Sequence, residues 1–236
     1  MMKSIQLNAY AKINLGLDIL GKRPDGYHEV RMIMQTIGLH DRLSMKIINS
    51  SKIKIKTNLP FLPTNENNIV YKAVDLMKKK YQINNGIYIN LSKRIPVSAG
   101  MAGGSTDAAA ALIGMDRLFG LNLTLEELMD VGVTLGADVP YCLMGGTALS
   151  EGIGEKLTPL PAFPNCHILI VKPNINVSTK KVYSNLDLSK VQNRPNIDGI
   201  IDGIKKNDLY EATRHFDNVL ESVTIGQYNL IDDIKM

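Results

Sequence analysis

From Ile5 to Ile19 the chain alternates: Ile5, Leu7, Ala9, Ala11, Ile13, Leu15, Leu17 and Ile19 are apolar, and Gln6, Asn8, Tyr10, Lys12, Asn14 and Asp18 stand between them. Successive side chains of a strand point to opposite faces, so this predicts a half-buried strand, broken near Gly16, with Tyr10, Lys12 and Asn14 on its polar face. Lys22-Arg23-Pro24-Asp25-Gly26 is a turn signal, and Tyr27 and His28 follow it directly. Ile69, Ala73, Leu76 and Met77 have helical spacing within 68–80, and Ile87, Ile89 and Leu91 predict a short strand. Thr124 and Glu127 stand at capping-box spacing before the stripe Leu125, Leu128, Met129 and Leu135, with Gly136 as the expected stop. A proline-rich stretch at 158–164 suggests a boundary. Beyond it, 167–171 reads as a strand, and Leu209, Ala212, Phe216, Val219 and Leu220 as one face of a helix. Pattern alone gives mixed α and β with a boundary near residue 160.

The 236 residues are 44% hydrophobic, ordinary for a globular chain and enough for one large core or two modest ones. No apolar run approaches the roughly 18 to 20 residues that span a bilayer, and no signal-peptide pattern opens the sequence, so a cytoplasmic protein without a membrane partner is expected. Cys142 and Cys166 have no second sulfur or histidine at metal-ligand spacing, and both read as reduced thiols. The net charge of +4 is scattered rather than clustered, without interleaved aromatic residues, so a nucleic-acid partner is not expected.

The segment richest in chemistry is Pro96-Val97-Ser98-Ala99-Gly100-Met101-Ala102-Gly103-Gly104-Ser105-Thr106-Asp107, between a strand and an alanine-rich helical stretch. Its glycines let backbone approach a ligand closely, Ser105 and Thr106 are suited to cap the helix, and a helix start attracts anions. Phosphate is the expected guest. No Gly-Lys-Ser/Thr follows, so this is no Walker A loop, and the spacing is not Gly-x-Gly-x-x-Gly.

This segment resembles the phosphate-binding motif of the GHMP kinases. Its extended form resembles the branch of that family whose substrate is a cytidine diphosphate methylerythritol. Two further segments carry the same resemblance: Ala9 to Leu15 with Gly21 to Glu29, and Gly136-Ala137-Asp138-Val139-Pro140. The implied fold is α+β in two parts, an N-terminal domain over 1–160 similar to the second domain of ribosomal protein S5 and a C-terminal α/β sandwich over 161–236. The family's third glycine-rich motif has no counterpart in 150–236. The expectation is therefore either a truncated chain or a naturally short one, with a sheet short of strands.

The implied activity is ATP-dependent phosphorylation, with Mg²⁺ accompanying ATP. The resemblance makes Asp138 the general base and Lys12 the cation that keeps it ionised. It assigns 96–106 to the phosphates, and Lys93 and Asn68 to the neighbourhood of the adenine. Tyr27, His28 and Tyr183 would meet the cytosine, with Asn14 and Thr179 adding polar contacts to the substrate. Plainer readings stay open: Asp138 as a helix cap before Pro140, Lys12 as a solvated lysine on an edge strand, Tyr183 as core, and Asn68 as a cap. A different GHMP kinase, or a nucleotide-binding module without turnover, are the alternatives. As to assembly, a monomer or weak homodimer is expected.

Overall fold

The computed structural model describes residues 2–235 except Asn176 and Ser178, and for Thr179 and Lys180 the backbone alone. In chain order the elements are β1 (Ser4–Lys22), β2 (His28–Ile48), β3 (Ile53–Thr57), α1 (Ile69–Lys80), β4 (Gly86–Ser92), α2 (Gly103–Phe119), α3 (Leu125–Val133), α4 (Val139–Met144), β5 (Thr147–Gly152) and β6 (Lys156–Pro159). They continue with α5 (Thr179–Asn185), a 3-10 turn (Leu188–Lys190), α6 (Ile197–Lys205), α7 (Leu209–Thr213), α8 (Glu221–Thr224) and α9 (Asn229–Lys235). The chain divides into two compact units, each discontinuous in sequence. One holds Met1–Lys12, Thr36–Val97 and Met101–Gly145, and the other Ile13–Gln35, Ser98–Gly100 and Gly146–Met236.

In the first unit, β4 runs antiparallel to the second half of β2, from Arg42↔Ser92 to Ile48↔Gly86, and parallel to β3. Leu43, Met45, Ile87, Ile89 and Leu91 from these strands meet Val70, Ala73, Val74 and Met77 of α1 and the run Ala108 to Leu112 of α2. Helix α2 packs against α1, α3 and α4. A helix covered on several sides must be apolar nearly all round, and alanine lets its neighbours approach closely, which is why 108–111 is an unbroken alanine run. Asn68 caps α1, and the Thr124–Glu127 capping box forms with both hydrogen bonds present. Helix α3 ends at Val133, earlier than Gly136, with Thr134 as its right-handed C-cap.

In the second unit, the first half of β2 pairs antiparallel with β5, from Val30↔Gly152 to Gln35↔Thr147, and β5 pairs with β6. Leu15 and Ile33 pack on Ile197, Ile200, Ile201, Ile204 and Ala212. The expected break near Gly16 is absent, since β1 runs through it. A Cβ on Gly16 would lie 2.6 Å from Cδ1 of Ile200 and 3.0 Å from Cδ1 of Ile197, so glycine is there to admit α6.

Two expected elements differ. Residues 167–171 form no strand, and Leu169 is 90% exposed. An apolar run becomes a strand only where another strand completes its ladder, and among the described residues none pairs with it. The helix expected across 209–220 stops at Thr213, because the backbone beyond it is used elsewhere: Leu17 N–H donates to the Asp217 carbonyl at 3.1 Å, and Val219 N–H to the Leu17 carbonyl at 3.0 Å. Ala212 and Val219 are nonetheless buried.

Candidate active site

The glycine-rich segment leaves β4 and enters α2 through three left-handed residues, Ser98 (φ 56°), Gly100 (φ 71°) and Ala102 (φ 55°). A residue with a Cβ in that region costs about 1–2 kcal/mol, so the conformation at Ser98 and Ala102 is held by its surroundings. Two bonds to β1 contribute: Lys12 N–H donates to the Met101 carbonyl at 3.2 Å, and the Thr106 hydroxyl to the Tyr10 carbonyl at 2.7 Å. Both tie the loop to the first strand of the chain.

Neither Ser105 nor Thr106 caps α2, contrary to expectation. The N-cap is Ala102, whose side chain has no oxygen, and Thr106 is already inside the helix with its hydroxyl turned to β1. The first intrahelical bond runs from Thr106 N–H to the Ala102 carbonyl at 2.9 Å. The N–H groups of Gly103, Gly104 and Ser105 therefore point along the axis with no capping side chain, at the positive end of the helix dipole. Such a start accepts an anion.

Lys12 lies in the same unit and is 6% exposed, so it is not a solvated edge lysine. Asp138 stands at the N-cap of α4, with Pro140 just behind it, but its side chain makes no capping bond. Asp138 is half-buried, and its carboxylate is not spent on the helix. One turn on, burial pushes the Cys142 thiol up to about 12. The charge of Asp138 adds to that rise, while the charge of Lys12 and a hydrogen bond with Thr106 oppose it. A carboxylate, an ammonium and the helix α2 hydroxyl thus act on one sulfur. Beside it the Tyr141 hydroxyl bonds with Thr36 at 3.1 Å, and burial raises its pKa.

Lys93 and Asn68 belong to this unit too. The Asn68 amide donates to the Pro63 carbonyl at 2.7 Å and accepts from Val70 N–H at 2.8 Å, as a cap does. Lys93 is buried, its ammonium bound by Asp41, by Asp107 at 2.6 Å and by the Gly103 carbonyl at 3.1 Å. Asp41 is a functional candidate that the sequence reading passed over. The available signal was its place on the inward face of an alternating run, in register with Ile37, Leu43 and Met45.

Burial pushes the Asp107 carboxyl up to about 8; Lys93 opposes the shift and Asp41 adds to it. The folded chain thus holds a proton there that the unfolded chain releases near the ordinary carboxylate value of 3.8, so this group's contribution to stability is full below about pH 4 and declines as pH rises to about 8. Denaturation midpoints in urea should fall between about pH 5 and pH 8, and Asp107→Asn should flatten that slope. An equally steep slope in the variant would remove Asp107 as its source.

In the second unit the turn forms as expected. Gly26 has φ 87°, Arg23 N–H donates to the Tyr27 carbonyl at 2.8 Å, and Tyr27 N–H to Asp25 at 3.0 Å. His28 and Tyr183 come together with ring centroids 5.3 Å apart, inclined at 46°. Two rings flanking a base need about twice the roughly 3.5–4.0 Å contact distance, so the pair stands too close to hold one between them. Tyr27 is exposed and Asn14 half-buried in β1, while the side chain of Thr179 lies outside the described residues. A cleft of about 550 Å³ bordered by Lys190, Phe216, Asn218 and Glu221 contains none of the expected site residues. No described helix is long and apolar enough to cross a membrane.

The family described as GHMP kinases N terminal domain matches residues 68–146, from the α1 cap through the glycine loop to the end of α4. A 4-diphosphocytidyl-2-C-methyl-D-erythritol kinase from Lachnospira eligens is 62% identical over 234 residues, covering 99% of this chain and 81% of that protein. One from Lachnoclostridium phytofermentans is 62% identical over 235 residues, covering 100% and 81%. A crystal structure of 4-(cytidine 5'-diphospho)-2C-methyl-D-erythritol kinase superposes with a TM-score of 0.79 at 28% identity, covering 98% of this chain and 81% of the other. Homoserine kinase from Cytophaga hutchinsonii, at 19% identity and a TM-score of 0.65 over 92% of this chain and 72% of that one, shares the fold.

Proposed function

Starting from its membership of the 4-diphosphocytidyl-2-C-methyl-D-erythritol kinase family within the GHMP kinases, we propose that this chain transfers the γ-phosphoryl group of ATP to the 2-hydroxyl of 4-diphosphocytidyl-2-C-methyl-D-erythritol, a step in isoprenoid biosynthesis. The observation that carries the mechanism is the uncapped start of α2 in the same unit as Lys12 and an Asp138 carboxylate not used as a cap.

Phosphoryl transfer asks a protein mainly to position the nucleophile and neutralise charge spreading over the transferred oxygens. The N–H groups of Gly103, Gly104 and Ser105 take the phosphates, and Pro96 to Ala102 wrap the nucleotide. Asp138 accepts the proton of the substrate hydroxyl as its oxygen attacks phosphorus. Lys12 offsets charge on the transferred group. Mg²⁺ accompanying ATP would neutralise phosphate charge; the described residues offer no group of three or more His, Cys, Asp or Glu side chains that could hold it alone.

Asn68 and Lys93, whose polar atoms are committed within the protein, support the nucleotide site from behind. The pyrimidine lies against Tyr183 and displaces its contact with His28, with Tyr27, Asn14 and Thr179 contributing to the same substrate. A cytoplasmic location and a monomer or weak dimer belong to the same proposal. Incubating the 236-residue chain with Mg-ATP and the cytidine diphosphate substrate should give ADP and a phosphomonoester, followed by phosphorus NMR. Absence of both products at saturating substrates would reject the reading.

A further inference from the structure

The glycine loop is a chain segment whose two ends are fastened to one buried side-chain cluster. At its start, a single carboxylate oxygen of Asp41 accepts from Arg94 N–H and from Ile95 N–H, the latter at 2.9 Å. Asn58 brackets the preceding residue, accepting from Lys93 N–H at 2.7 Å and donating to the Lys93 carbonyl at 3.0 Å. At its end, the Lys93 ammonium holds the Gly103 carbonyl at 3.1 Å and the Asp107 carboxyl at 2.6 Å. The second oxygen of Asp41 binds the same ammonium. Asp41 is fully buried and Asp107 nearly so.

We infer that Asp41 is a positioning residue for nucleotide binding: through Lys93 it staples the start of the glycine loop to the first turn of α2 and thereby aims the N–H groups of Gly103, Gly104 and Ser105 at the phosphates. The inference rests on the kinase reading for its consequence and on hydrogen bonding alone for its geometry. A cluster of two carboxylates and one ammonium carries a net negative charge, which behind a polyphosphate site would oppose binding. A proton on Asp107, favoured by its burial, leaves one carboxylate against one ammonium and makes the staple neutral. The Asp107 oxygen without a hydrogen-bond partner among the described residues is the atom the ammonium does not reach.

In Asp41→Asn the amide oxygen can still accept from Arg94 and Ile95, but its NH₂ group faces the Lys93 ammonium, donor against donor. The loop start keeps its acceptor and loses its link to α2. In the double variant Asp41→Asn/Lys93→Gln the ammonium is gone, and the new amide at position 41 can donate to the side-chain oxygen of the introduced glutamine, restoring a neutral link.

Two readouts are made on the full chain. Amide hydrogen exchange at Arg94, Ile95 and Thr106, whose N–H groups are hydrogen-bonded in the structure, should quicken in Asp41→Asn and recover toward wild type in the double variant. The affinity for a non-hydrolysable ATP analogue should fall about tenfold or more, the equivalent of one charge-assisted hydrogen bond, with the KM for the cytidine substrate unchanged. Wild-type exchange at these amides, or wild-type nucleotide affinity in a folded Asp41→Asn, overturns the inference. If Asp41→Asn does not fold, the folded double variant is compared with Lys93→Gln alone: restored protection supports the staple, and none overturns it. If exchange quickens as expected while the unaltered chain binds no nucleotide, the staple stands and the kinase reading falls.

Discussion

Asp138→Asn should lower kcat by about 10²- to 10⁴-fold, the range assigned to a positioned general base, while leaving nucleotide affinity and thermal stability as they are. The amide has the shape of the carboxylate but cannot accept a proton. Because the Asp138 side chain caps nothing, the start of α4 does not depend on it. The same substitution has a second signature. The Asp138 charge helps hold the Cys142 thiol up at about 12, so its removal should lower that pKa and speed labelling of the thiol at alkaline pH. Lost turnover with a thiol that titrates as before would mean the carboxylate is not where the structure puts it. Wild-type turnover in the folded variant would reject Asp138 as the base.

Gly203→Ala should destabilise the second unit by about 3 kcal/mol, the upper end of overpacking costs, visible as a lower urea midpoint. A Cβ at Gly203 would lie 2.4 Å from the Ala212 backbone nitrogen and 2.6 Å from its Cα. Backbone cannot rotate away, so α6 and α7 must separate, and with them Ile200, Ile204 and Ala212 of the core. Gly114→Ala is the control. Its Cβ would meet the Met45 sulfur at 2.3 Å, a nearer contact on paper, but a methionine side chain is flexible and can move. The gain in helix propensity of about 1 kcal/mol at Gly114 offsets part of the cost. Equal losses in the two variants would show that the Met45 pocket is as rigid as backbone.

What the sequence alone could settle was whatever short-range rules govern. Asn68 and the Thr124–Glu127 pair act on N–H groups within a turn of themselves, so α1 and α3 begin where their caps stand. Glycines before an apolar helical run are as readily structural punctuation as an anion site, so the loop alone made phosphate only an expectation, whereas three ordered motifs identified the family that the comparison with the Lachnospira eligens kinase bears out.

Tertiary structure decided the rest, because it concerned partners far away in the chain. The period of two placed Lys12 on a polar face, and that face stays exposed at Asn8 and Tyr10 while the lysine itself is buried. Thr106 had the chemistry of a cap, but the Tyr10 carbonyl, 96 residues distant, competes for its hydroxyl and wins. Gly16 looked like a break until Ile197 and Ile200 arrived to need its space. The apolar run 167–171 had the composition of a strand and lacks, among the described residues, the neighbour that makes one. Asp41 shows the limit most plainly: an acid on an inward strand face has no local meaning until Lys93, 52 residues on, and the N–H groups of Arg94 and Ile95 close around it. Caps and periods are properties of neighbours in sequence, whereas burial, strand pairing and charge compensation belong to neighbours in space, and only folding brings those together.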